Sequence, residues 1–121
     1  MASSNQVLKF NSTAEAAIVE NTFVMVGVAD NTVLTATAGA VIIGVAEDPA
    51  AINTAIGISH QGKVKLKLGG NVSAGQKIKA TTGGVGIYAN TNKDEFGAIA
   101  LEDGVSGDVI NVIIAKGATN I

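Results

Sequence analysis

The sequence has no cysteine, no arginine and no tryptophan, and only one proline and one histidine. Without cysteine there is no disulfide framework, no thiolate zinc site, no iron–sulfur cluster and no cysteine nucleophile. Without arginine, and with eight lysines against ten carboxylates for a formal charge of −2, the chain lacks the basic surface and the bidentate fork on which nucleic-acid recognition normally rests. Nucleic acid is therefore not an expected partner. The aromatic residues are Phe10, Phe23, Phe96 and Tyr88, too few for a base-stacking or sugar-stacking platform. A lone histidine, His60, rules out a two-histidine metal site within one chain. The longest apolar and small-residue run, residues 38–46, covers nine positions where a membrane helix needs about 20. No membrane association is expected. The opening Met-Ala-Ser-Ser-Asn-Gln has neither a basic run nor an apolar stretch behind it. The expectation is thus a protein that acts where it is made, or leaves by lysis.

What remains is 121 residues, the size of one domain, which buries roughly 65% of its unfolded surface and needs no staples. Val and Ile number 27 against five Leu, and 15 glycines interrupt the chain. That balance favours short strands and tight turns, an all-β domain. The 19 alanines sit mostly singly beside Val, Ile or Gly and form no helical run.

Residues 1–11 are polar apart from Val7, Leu8 and Phe10. With no visible partner strand they read as an extended amino-terminal arm or edge strand, leaving residues 12–121 as a single β domain. Ser12-Thr13-Ala14-Glu15 has capping-box spacing, and the reading preferred for it is a loop. Strands are predicted at 23–28, 32–35 and 41–46. Pro49 then marks a loop, and a strand follows at 55–60. Residues 63–68, Lys-Val-Lys-Leu-Lys-Leu, alternate without a break. Val64, Leu66 and Leu68 belong to one face, and Lys63, Lys65 and Lys67 to the other, as in a half-buried antiparallel strand. The lysine row reads first as a solvated face on a charge-protected edge strand, and second as a docking face for an acidic partner. Residues 72–80 read as a tight turn feeding another alternating strand, with Gly75 expected to supply the positive backbone angle of the turn. Further strands are predicted at 85–88, 97–101 and 108–115. Eight or nine short strands on short turns make a small antiparallel β-barrel or sandwich.

Chemistry-bearing patterns are nearly absent. Ser59 or Ser73 beside His60 lacks a nucleophile-elbow sequence. Gly83-Gly84-Val85-Gly86 has no following lysine or helix, so it reads as a hairpin and not as a phosphate loop. The carboxylate pairs Glu47-Asp48, Asp94-Glu95 and Glu102-Asp103 are adjacent residues, which point opposite ways on an extended chain. None has calcium-loop spacing. By elimination the chain is read as a structural or binding protein, with no catalytic residue, metal or cofactor.

One ordered set of motifs carries a resemblance: Gly44-Val45-Ala46, Gly62-Lys63-Val64, Ser73-Ala74-Gly75-Gln76-Lys77-Ile78, Ala80-Thr81, Gly84-Val85, Gly97-Ala98-Ile99-Ala100-Leu101 and Gly107-Asp108-Val109-Ile110-Asn111-Val112. In this order, over residues 44–114, they resemble the capsid decoration, or cement, proteins of tailed bacteriophages. The resemblance implies a non-enzymatic virion protein on the outer capsid surface, made in the host cytoplasm. It would be a homo-oligomer, favoured as a trimer, that clamps neighbouring subunits of the major capsid protein. The residues assigned to capsid contact are Val7, Leu8 and Phe10 in the arm and Lys63, Lys65 and Lys67 on the alternating strand. A head fibre or tail accessory protein, a non-viral ligand-binding β-barrel with an internal pocket and, last, a hydrolase using His60 are the competing readings.

Overall fold

A computed structural model describes residues 8–120, and Val7 lies outside them. The described chain is all-β. Ten strands follow in order: β1 (Leu8–Ala14), β2 (Thr22–Val26), β3 (Thr32–Thr35), β4 (Gly44–Ala46), β5 (Ala55–Gln61), β6 (Lys63–Lys67), β7 (Lys77–Ala80), β8 (Gly86–Tyr88), β9 (Glu95–Ala100) and β10 (Val109–Ala118). The first five close into a barrel in the order β1-β3-β2-β4-β5, and the last five form a second sheet in the order β6-β10-β9-β7-β8. The domain is therefore both a barrel and a sandwich, a sheet packed on the flank of a closed barrel.

Alternation along the strands explains the layering. In β2, Val24 points into the barrel while Phe23 and Met25 point out of it, and in β4 Ala46 points in while Val45 points out. The barrel interior is filled by Ala14, Ile18, Val24, Val33, Ala46, Ile56 and Ile58. The outward set meets Val64, Leu66, Ile78, Ala98, Ile110 and Val112 of the second sheet in a separate, larger cluster. Polar side chains buried between the layers must be hydrogen-bonded, and Thr22 donates its hydroxyl to the carbonyl of Val19 at 2.7 Å.

The turns are fixed by a few local devices. Gly75 has φ +88°, as its turn requires. Gly84, at φ +73°, sits at the tip of the β7–β8 hairpin, where a Cβ would lie 2.8 Å from the carbonyl oxygen of Phe23. Only glycine lets that tip close onto the barrel wall. Glu15 accepts hydrogen bonds from the Ala29 amide and the Thr32 hydroxyl, both at 2.8 Å. These bonds, the Ala29 one foremost, hold its carboxyl below the usual glutamate range and tie the β2–β3 turn to the end of β1.

The nine strands expected after residue 22 are all present, with ends shifted by a few residues. At the amino terminus, of the two readings, arm or edge strand, Leu8 to Asn11 take the strand: they are the first half of β1, which pairs antiparallel with β5 from Leu8 opposite Gln61 to Thr13 opposite Ala55 and is bonded on both sides, so it is not an edge. Ser12 to Ala14 continue the same strand, so neither a loop nor a helical turn forms there. The sheet is also not wholly antiparallel, because Thr13 and Ala14 pair in parallel with Thr32 and Val33 to close the barrel. The inward positions of β1 are Phe10, Ser12 and Ala14; only one is a large hydrophobe, and the strand that completes the pattern lies far along the chain.

Phe23 is fully buried between barrel and sheet. Phe23→Ala is expected to lower unfolding free energy by about 3–5 kcal/mol in a single cooperative urea transition. Val28→Ala, at a side chain 89% exposed, should leave the midpoint unchanged. Two separated transitions in the native protein would contradict a core shared by the two halves.

Candidate functional site

The lysine strand takes the position its alternation prescribes. β6 is the terminal strand of the second sheet; Val64 and Leu66 are buried and Lys63, Lys65 and Lys67 are exposed. Its neighbour β10 pairs in register, with Val109 opposite Lys67, Asn111 opposite Lys65 and Ile113 opposite Lys63. Opposed residues of an antiparallel pair share a face, so the outward row continues from Lys63 to Ile113, to Ile99 of β9 and to Lys77 of β7. Lysines thus stand on both sides of a mainly apolar strip, interrupted by Asn111 and the Glu102 carboxylate bonded to it. Val109 and Leu101 are each 46% exposed and Ile113 is 41% exposed.

Electrostatics distinguish the members of this face. Lys79 donates to Asp94 Oδ2 at 2.9 Å, with both side chains largely covered. That bond holds the Asp94 carboxyl below the usual aspartate range, and a further bond from the Thr91 amide adds to the effect. Glu102 accepts from the Asn111 backbone and side-chain amides at 2.7 and 2.9 Å. The Lys77 ammonium lies 5.2 Å from the centre of the Phe96 ring, within cation–π range. Among the described residues, Lys63, Lys65, Lys67 and Lys77 form no ion pair.

The amino-terminal candidates occupy a different place. Leu8 is exposed at the start of β1, opposite Gln61, two residues before the lysine strand begins. Phe10 is half-buried against the barrel interior, with its ring centre 5.6 Å from that of His60 at 49°. His60 is thereby engaged with an aromatic ring. Next to it, Ser59 is buried and donates to Glu47 Oε1 at 3.1 Å, and adjacent strand residues face opposite ways. Serine, histidine and carboxylate are not aligned for proton relay. Among the described residues no group of three or more His, Asp or Glu side chains could hold a metal. The hollows are shallow: an open groove beside β1 lined by Phe10, Val26, Thr32 and Ile43, and a smaller one near Lys77, Tyr88 and Thr119.

Sequence reasoning found the first lysine row and missed the second. Lys77-Ile78-Lys79-Ala80 carries the same alternation, a usable signal, but which strands separate the two rows is set by sheet order.

No family model and no curated protein matches the sequence. In three dimensions the chain is similar to the crystal structure of the N base of the head fiber protein gp8.5 in bacteriophage phi29. The TM-score is 0.75 at 11% identity, covering 96% of this chain and 100% of that one. The likeness is one of fold, and it takes in both halves of the molecule.

Because Asp94 is held below its ordinary value of 3.8, its contribution to stability is complete above that pH and is lost as pH falls through the lowered value. Asp94→Asn should therefore flatten the acid limb of a stability–pH curve below about pH 4 relative to the native chain. Parallel acid limbs in urea denaturation would contradict this role for the Lys79–Asp94 bond.

Proposed function

We propose that this chain is a structural protein of a tailed-bacteriophage head, bound to the outer capsid surface, where it clamps neighbouring major capsid subunits. The observation that carries the reading is the likeness to a phage head-fiber base over essentially the full length of both chains. The ordered motifs of residues 44–114 point to the same class of protein. The barrel interior is filled by its own side chains, which weighs against a free ligand-binding barrel.

The mechanism is avidity. One protomer contact below about 1,000 Å² is weak, whereas a trimer straddling several shell subunits turns later contacts into intramolecular ones and gains orders of magnitude. The lysine row Lys63, Lys65 and Lys67 is the contact assigned to the shell. Leu8, exposed on the barrel opposite Gln61, is also available, whereas Phe10 is engaged with His60. A second reading, the base of a head fibre, is favoured by what the similar structure is; it shares the fold and the location and differs in copy number.

A clamp requires correctly spaced sites. Purified protein added to heads that lack it should bind expanded shells about 100-fold or more tightly than unexpanded ones, measured by co-sedimentation. Equal binding to the two shells would contradict clamping, and no binding to either would contradict the head assignment.

A further inference from the structure

We infer that the outward face of the second sheet is a two-rail docking surface for an acidic protein element with an apolar ridge. On the function proposed above, that element belongs to the head-shell subunit. Five of the eight lysines, Lys63, Lys65, Lys67, Lys77 and Lys79, lie on this face, although the chain as a whole carries net charge −2. Its own carboxylates do not neutralise it. Asp94 serves Lys79 and Glu102 serves Asn111, which leaves four cations with no carboxylate partner among the described residues. Like charges two apart along one strand repel each other, and Val109 and Ile113 of β10 lie exposed beside them.

An acidic partner accounts for both features. The strip between the rails supplies apolar burial, as the centre of an interface does. The lysines stay at the rim, where charge sets approach and orientation at little desolvation cost. The rails are three strand spacings apart, about 14 Å at roughly 4.8 Å per strand, so a single helix of about 10–12 Å diameter or a two-stranded ribbon fits between them. A second copy of this chain is the less apt occupant: of the five carboxylates in its barrel half, Glu15 is tied to Ala29 and Thr32 and Glu47 to Ser59.

Two measurements on the full chain separate this surface from the function it rests on. In a backbone-amide NMR titration with poly-L-glutamate, shift changes should concentrate at residues 63–67, 109–113 and Lys77. The double variant Lys65→Glu/Lys77→Glu should lose them, and Lys93→Glu should keep them. Changes centred on Lys9, Lys93 or Lys116 would overturn the assignment whether or not heads bind. In co-sedimentation with heads lacking the protein, Lys65→Glu/Lys77→Glu and Ile113→Ser should each weaken binding about tenfold or more, with Lys93→Glu unchanged and amide spectra confirming the fold. If the native chain and these variants bind heads equally, the surface is wrong and the proposed function stands. Conversion of an oligomer into monomers by the same variants would identify the occupant as another copy and overturn the inference.

Discussion

The wall made by β2 and β4 is the constraint on which the molecule depends. These two short strands are buried on both faces: Val24 and Ala46 complete the barrel interior, and Phe23, Met25 and Val45 form the base on which the second sheet rests. A layer covered on both sides loses apolar contacts in two cores when it moves, so the halves cannot shift independently without exposing hydrophobic surface. The hairpin tip at Gly84, with room for no side chain against the Phe23 carbonyl, fixes the angle at which the sheet sits.

From that docking the properties of the outer surface follow. Once Val64, Leu66, Ile78, Ala98, Ile110 and Val112 face the wall, the strict period of two sends Lys63, Lys65, Lys67, Lys77, Ile99, Val109 and Ile113 the other way. β6 ends the sheet, and its carboxyl end is covered by bonds from Lys67 to Asn21 and from Gly69 to Gly86. In the middle of this face, exposed apolar side chains of β10 stand between the charges, with Asn111 among them.

Much of this was legible in residue order. Turn residues and period-two segments placed nine strands, because in each the alternation or the flanking Gly and Asn is local. Lys63 to Leu68 was legible down to the direction of every side chain. β1 was not: its inward residues, Phe10, Ser12 and Ala14, are of mixed character, and its partner β5 lies more than 40 residues away. The closing parallel pair at Thr13 and Thr32 has no local signature at all. The second lysine row was visible as a pattern in Lys77-Ile78-Lys79-Ala80, yet its place opposite the first depends on the order β6-β10-β9-β7. That order is decided by long-range packing.

The central claim is that this scaffold is a standing component of a phage head. Quantitative mass spectrometry of purified particles, counting copies of this chain per major capsid subunit, tests it most directly. A ratio near one to one is the result the account predicts for a clamp spread over the shell; a few copies per particle would move it to a fibre base. Absence from the particles would contradict the account.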